Sequence, residues 1–190
     1  MPRTTGLILR KPDDKGAVLL LFLRQISRHF PMPVLFSYRP WLLLLTLFWL
    51  GAVPAEPPAA DEEAYMLRMV NYIRSRGCRC GDTFYPPAPL LRLHDQLTLT
   101  ARVHARDMAT HEFMGHEGSD GSRVGIRARR SGYPWRQIGE NVAWGYPTVK
   151  EVVLGWRHSP GHCQTMMSRK YNEFGAARQG TYWVQVFGRR

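Results

Sequence analysis

The 190-residue sequence lacks any apolar run of the roughly 20 residues that an ordinary membrane-spanning helix needs. It also lacks zinc-finger spacing, an RNA-binding aromatic signature and internal repeats. Fourteen prolines and 17 glycines argue against a bundle of long helices. With 44% hydrophobic and 22% charged residues, the composition is that of one globular domain with an extension.

Lysine is scarce after residue 55, where only Lys150 and Lys170 occur, so arginine carries most of the positive charge. The net charge of +11 divides into +5 for residues 1–55 and +6 for residues 56–190. Arginine-rich charge can bind nucleic acid, anionic lipid or cell-wall polymer. No run of Arg and Lys exceeds two residues, however, so a solvated basic surface is the preferred explanation of the charge. We therefore do not expect a nucleic-acid partner.

The N-terminal region predicts export. Arg39 precedes a 12-residue apolar run, Leu42 to Val53, which is typical of the central region of a signal peptide. Val53-Pro54-Ala55 offers a cleavage site, and Ala59-Ala60 offers a second. A short buried helix is the alternative interpretation.

A signal peptide that began at Met1 would be unusually long, whereas one that began at Met32 would have 24 residues. We therefore interpret residues 1–31 as a misannotated or dispensable leader and residues 32–55 as the signal peptide. Residues 56–63 are assigned to a tether and residues 64–188 to the folded domain.

The three cysteines are interpreted in the light of export, because disulfides form in oxidising compartments. Cys78 and Cys80 are too close in sequence for an unstrained mutual bridge. A bridge between one of them and Cys163 is favoured, and it would contribute about 4 kcal/mol by closing a long loop.

The patterns after residue 60 predict an α+β fold. Helices are expected from residue 61 to Gly77, from His94 to Thr110, from Ser122 to Arg130, from Thr148 to His158 and after Pro160. Gly139 to Trp144 predicts a strand, and residues 173–187 predict a hairpin around Gly180. Residues 78–90 are expected to form a loop. His104 falls on the buried face of its helix, where we expect a core histidine with a hydrogen-bond partner.

Familiar catalytic motifs are excluded. His111 and His116 are five residues apart, so on a helix they would point about 140° away from each other, unlike the i, i+4 pair of a zinc peptidase. His162 adjoins Cys163 and cannot readily act as its base, and no G-x-S-x-G motif is present. No residue is an obvious nucleophile.

Three polar residues remain that only the fold could bring together: His116, Glu140 and His162. Both imidazoles can bind a divalent metal, and Glu140 lies in an apolar strand where an unpartnered carboxylate is costly. The alternative is a buried hydrogen-bonded cluster that braces the sheet.

The chain resembles the CAP superfamily, which comprises cysteine-rich secretory proteins, insect venom antigens and plant pathogenesis-related proteins. The resemblance covers about residues 64–188 and has the compact form of the bacterial branch. It rests on these segments: Leu97-x3-Ala101-x2-His104-Ala105-x-Asp107-Met108-Ala109, Phe113-x2-His116, Gly139-Glu140-Asn141-Val142-Ala143-Trp144-Gly145, Trp156-x2-Ser159-Pro160-Gly161-His162 and Tyr171-x2-Phe174-Gly175.

The resemblance implies a three-layer α-β-α sandwich with a central antiparallel sheet. It implies a cleft of His116, Glu140 and His162, with the two histidines as metal ligands, and a disulfide between Cys80 and Cys163 that leaves Cys78 as the spare thiol. Animal members add a second glutamate after the residue equivalent to Trp156. That acid is missing here, which implies a weak, open Zn²⁺ site.

By the same resemblance, the protein is expected to be a secreted or periplasmic binding or envelope-associated module. Its candidate ligands are a lipid or sterol-like molecule or a cell-wall polymer, and no catalytic residue is assigned. The alternative is a metal-dependent hydrolase acting on peptide or cell-wall polymer. Zinc binding is expected to weaken as the pH falls through about 6.5, because protonated imidazole cannot ligate a metal. A Glu140→Gln change is expected to weaken binding without unfolding the domain.

Cleavage after Ala55 leads to a first prediction. The exported protein should begin at Glu56 or within a few residues of it, because the apolar run ends just before this point. N-terminal sequencing of the exported protein tests this, and finding residues 1–31 intact would refute it.

Overall fold

The structure, a computed structural model, describes residues 8–10 and 59–190. The helices are α1 (Ala59–Arg76), α2 (Asp95–Thr110), α3 (Val124–Arg130), α4 (Val149–His158) and α5 (Pro160–Met167). The strands are β1 (Ile8–Arg10), β2 (Cys78–Cys80), β3 (Thr83–Tyr85), β4 (Arg92–Leu93), β5 (Gln137–Trp144), β6 (Glu173–Gln179) and β7 (Tyr182–Arg189). The predicted signal peptide lies outside the described residues, and residues 59–63 of the predicted tether form the start of α1. In the described part of the chain, no helix is long and apolar enough to cross a membrane.

The main sheet has the strand order β1-β5-β7-β6-β4. Its centre is antiparallel, with β7 between β5 and β6. At the edges, β1 pairs with β5 in parallel and β4 pairs with β6 in parallel. The predicted antiparallel sheet is confirmed for the three long strands, while the two short parallel edges were not predicted.

Helices cover both faces of the sheet, which confirms the predicted three-layer sandwich. Alternation along β7 separates the two cores, because successive strand residues point to opposite faces. Trp183 and Phe187 pack with α1, α4 and α5. Val184 and Val186 pack with α2 and α3.

Helix α2 lies directly against β6 because Gly175 has no side chain. A Cβ atom at Gly175 would lie 2.1 Å from the backbone nitrogen of Thr98, a distance that no side chain tolerates. The close approach fixes the position of α2, which carries His104 towards β5.

Residues 78–90 differ from the predicted loop. Strands β2 and β3 pair in an antiparallel hairpin whose turn includes Gly81 at φ +61°. The expected Cys80–Cys163 disulfide is confirmed, and it ties this hairpin to α5 with a Cα–Cα distance of 5.4 Å. Cys78 is the remaining free cysteine in the described residues, and it is buried.

Arg74 is a fully buried arginine whose guanidinium donates to backbone carbonyls. Its Nη1 lies 2.6 Å from the oxygen of Met166 and 3.0 Å from that of Ser168, while its Nε lies 2.9 Å from that of Pro89. Burial, together with the charge of Arg169, lowers the pKa of Arg74 to about 10, so the side chain stays charged at neutral pH. One side chain thus joins α1 to the end of α5 and to the irregular segments that contain Pro89 and Ser168.

Arg74 supplies a second prediction. Arg74→Met should destabilise the domain by about 3 kcal/mol, since three backbone carbonyls lose a charged donor. Urea unfolding monitored by tryptophan fluorescence measures this. Arg76→Met, at an exposed position in the last turn of α1, is the matched control, and equal stability of the two variants would contradict the assignment.

Candidate functional site

Glu140 is the centre of a buried polar cluster on β5. The residue is only 2% exposed, and both of its carboxylate oxygens have partners. His116 Nδ1 lies 2.8 Å from Oε1, and Arg127 Nη2 lies 2.8 Å from Oε2. Glu140 and Val142 point to the sheet face that α2 and α3 cover, which brings the carboxylate to Arg127 on α3.

The cluster keeps Glu140 ionised. Burial alone would raise the pKa of this carboxyl, but the hydrogen bond from His116 and the neighbouring charges, chiefly that of Arg127, hold it below its ordinary value. An ionised carboxylate can only accept hydrogen bonds. Nδ1 of His116 therefore carries the proton that Glu140 accepts.

His104 is confirmed as a buried histidine with a hydrogen-bond partner. Its Nε2 lies 2.8 Å from the carbonyl oxygen of Gly115, so this nitrogen donates. Burial lowers the pKa of His104 despite the nearby Glu140 carboxylate, and the ring is therefore neutral at pH 7. Its Nδ1 is buried without a hydrogen-bond partner in the described part of the chain. His104 thus anchors the segment that carries His116.

Arg127 is the member of the cluster that the sequence analysis missed. It is 4% exposed, and it also donates to the carbonyl oxygens of Ser122 and of His116, the latter at 3.1 Å. A signal was present, because Arg127 follows Val124 by three residues and precedes Ala128 on the apolar stripe of α3. A charged residue on such a stripe needs a buried partner, and Glu140 is that partner.

His162 is held from the other helical layer. It is fully buried on α5, and its Nδ1 lies 2.8 Å from Ser159 Oγ. Its backbone carbonyl accepts a hydrogen bond of 3.2 Å from Asn141, which follows Glu140 on β5 and points to the opposite face of the sheet. β5 therefore contacts His116 through one residue and the backbone of His162 through the next.

Within residues 8–10 and 59–190, one group of three or more His, Cys, Asp or Glu side chains has all its ligand atoms within 4.8 Å of one another. This group is Cys78, Cys80 and Cys163. His116, Glu140 and His162 are not gathered so closely. A metal shared by the two histidines stays a prediction.

Comparison with known proteins identifies the kind of domain. Residues 67–187 match the model of the cysteine-rich secretory protein (CAP) family. The uncharacterized protein YkwD of Bacillus subtilis is 26% identical over 99 residues, which cover 51% of this chain and 38% of the relative. The uncharacterized membrane protein YlbC of the same species is 26% identical over 87 residues, covering 46% and 25%. This chain thus corresponds to less than half the length of either relative.

Solved structures show the same fold. An extracellular protein with an SCP domain from Bacillus anthracis aligns with a TM-score of 0.64 at 22% identity, over 73% of this chain and 45% of its own. An outer surface protein of Borrelia burgdorferi aligns with a TM-score of 0.58 at 19% identity, over 67% of this chain and 91% of its own. At these identities the likeness concerns the fold alone.

The buried Glu140–Arg127 pair generates a third prediction. The sequence predicts that Glu140→Gln does not unfold the domain, and the ion pair predicts that the same change lowers its stability. Glu140→Gln should lower the free energy of unfolding by about 3 kcal/mol at pH 7, because Arg127 loses its counter-charge. The matched control is Glu117→Gln, at an exposed position, which should leave stability unchanged.

The pH dependence of that difference tests its cause. The pKa of Glu140 is depressed in the folded protein, so the stabilisation is complete above the ordinary value of 4.5 and is lost as the pH falls below it. The stability difference between the wild type and Glu140→Gln should therefore shrink in acid. Urea unfolding between pH 7 and pH 3 measures it, and a difference independent of pH would contradict the ion-pair explanation.

Proposed function

The chain belongs to the CAP family of cysteine-rich secretory proteins, and we propose that it is an exported, envelope-associated binding module that uses His116 and His162 to hold a divalent metal. Export is supported by the apolar run that ends at Val53 and the small residues after it. It is consistent with the fold neighbours, which are described as an extracellular protein and an outer surface protein.

The hydrogen bonds of the two histidines support the metal. Imidazoles that ligate a metal usually donate their other ring N–H to a carboxylate or another acceptor, which fixes the ring and raises its basicity. His116 Nδ1 has this relation to Glu140, and His162 Nδ1 lies beside Ser159 Oγ. In this proposal, Nε2 of each ring would be the ligand atom.

Glu140 acts in this proposal as a positioning residue and not as a metal ligand. Its two oxygens are engaged by His116 and Arg127. A bound Zn²⁺ would supply an open coordination position for an anionic or carbonyl group of the ligand. With few protein ligands, binding should be weak and reversible.

The pairing of the ionised Glu140 carboxylate with Arg127 is the observation that favours a binding role over a hydrolytic one. A hydrolase that activates water needs a base within reach of that water, and Glu140 is the carboxylate of this cluster that would have to act as the base. It is 2% exposed and paired with a guanidinium, which lowers its basicity. The net charge of +6 in residues 56–190 would suit an anionic envelope polymer or lipid as the ligand.

Calorimetric titration of Zn²⁺ into the oxidised, metal-stripped domain provides the fourth prediction. The wild type should bind one equivalent at pH 7.5, whereas His116→Ala and His162→Ala should each abolish binding. The matched control is His158→Ala, an exposed histidine on α4, which should bind as the wild type does. Equal binding by wild type and His116→Ala, or none by the wild type, would overturn the metal assignment.

A turnover assay separates binding from hydrolysis. The zinc-loaded domain is incubated with peptidoglycan and with casein, and soluble products are measured. We expect sedimentation with peptidoglycan without release of fragments. Fragment release that is lost in His116→Ala would establish the hydrolase instead.

A further inference from the structure

A second group of metal-ligating side chains lies away from Glu140, at the contact between α5 and the β2–β3 hairpin. The free thiol of Cys78 lies 3.4 Å from Cys163 Sγ and 3.8 Å from Cys80 Sγ. All three cysteines are buried, with exposed fractions of 5% or less. The proposed function uses none of these sulfurs as ligands.

The local sequence accounts for this arrangement. Cys78 and Cys80 occupy alternate positions of β2, so their side chains share one face while Arg79 between them is exposed. Helix α5 places Cys163 opposite that face, and the disulfide fixes it there. The Cys-Arg-Cys strand thus presents two sulfurs to a third.

The position of Cys78 does not suit thiol–disulfide exchange. A thiolate attacks along the S–S axis, which would place it about 2 Å farther from one disulfide sulfur than from the other. The two observed distances are nearly equal, so Cys78 lies beside the bond. Burial also raises the pKa of Cys78, although the charge of Arg157 opposes this, and the thiol is protonated at neutral pH.

The same distances suit three thiolates around one metal ion. A Zn–S bond of about 2.3 Å in a tetrahedral site separates neighbouring sulfurs by about 3.8 Å. The distances from Cys78 to Cys80 and to Cys163 are already 3.8 Å and 3.4 Å. Only the bonded Cys80–Cys163 pair must move apart, and β2 with α5 keeps the other two separations in place.

We propose that reduction of the Cys80–Cys163 disulfide converts Cys78, Cys80 and Cys163 into a three-thiolate site for one thiophilic metal ion, Zn²⁺ or Cu⁺. Two molecules of a thiol reductant supply the two electrons and two protons and become a disulfide; a phosphine with one water supplies the same and becomes a phosphine oxide. Metal binding then releases up to three protons as the sulfurs ligate. Thiolate ligands select these soft ions over Mg²⁺ or Ca²⁺.

The proposed site has three protein ligands. In residues 8–10 and 59–190, no His, Asp or Glu side chain joins the three sulfurs within 4.8 Å. The oxidised form prevails in an oxidising compartment, so the metal-bound form belongs to reducing conditions. The site is chemically distinct from the proposed pair of histidines, because it forms only after reduction.

Cobalt titration of the phosphine-reduced domain under anaerobic conditions tests the proposal, our fifth prediction. Co²⁺ should give a thiolate charge-transfer absorption that saturates at one equivalent and disappears when Zn²⁺ or Cu⁺ displaces it. The His116→Ala/His162→Ala double variant should behave in the same way. Failure of the histidine site would therefore not affect this result. The oxidised domain should give no such absorption.

The matched control is Cys78→Ser, which keeps the disulfide pair and removes one ligand. Its reduced form should bind Co²⁺ at least tenfold more weakly than the reduced wild type. Circular dichroism must show folded protein during the titration, and binding should weaken in concentrated urea. Equal affinity of Cys78→Ser, no thiolate absorption in the reduced wild type, or unfolding of the wild type on reduction would each overturn the proposal.

Discussion

The buried carboxylate of Glu140 is the constraint that organises one side of this domain. An ionised carboxylate removed from water is stable only when charge and hydrogen bonds replace its hydration. Arg127 and His116 provide both, at 2.8 Å from the two carboxylate oxygens. Because these partners come from α3 and from the turn-rich segment after α2, a single charge on β5 fixes the placement of both segments against the sheet.

The opposite face of the sheet is held together by other means. Arg74 joins α1 to the carbonyl of Met166 at the end of α5, and the Cys80–Cys163 bond joins the small hairpin to α5. Asn141 links α5 to β5 through the backbone of His162. The two faces therefore meet at consecutive residues of one strand, so a displacement of β5 would affect His116 and His162 together.

Periodicity in the sequence was sufficient to predict the long elements of the fold. The residues that the 3.6-residue pattern of α2 and the alternation of β7 predict to be buried lie in the two cores. The short β2–β3 hairpin escaped prediction, because its three-residue strands carry too little alternation to be distinguished from a proline-rich loop. The edge strand β4 has only two residues and shows no pattern of its own.

The candidate site was predicted only in part for a related reason. Glu140 was predicted as a site residue because a carboxylate in an apolar strand needs a partner. The sequence of the strand does not identify that partner. Arg127 and Arg74 both lie on apolar helical stripes, and each looked like part of the general excess of arginine. A count of arginines does not distinguish buried residues from exposed ones. The position of an arginine on the helix does, because a guanidinium on the apolar stripe is buried. A metal ligand set is harder still, since it depends on distances between segments that no local pattern encodes.

Arg127 also restricts where a cation could bind near Glu140. A cation in direct contact with this carboxylate would lie close to a guanidinium that already balances its charge, and the two positive charges would repel each other in a poorly hydrated setting. In the proposed site, the cation would instead be bound by the His116 ring. Glu140 would then act through the imidazole, because a carboxylate that accepts the Nδ1–H makes the other nitrogen a better donor to a metal. The absence of a second acid after Trp156 would lower the affinity of such a site, whereas the hydrogen bond from Nδ1 to Glu140 would still orient the His116 ring.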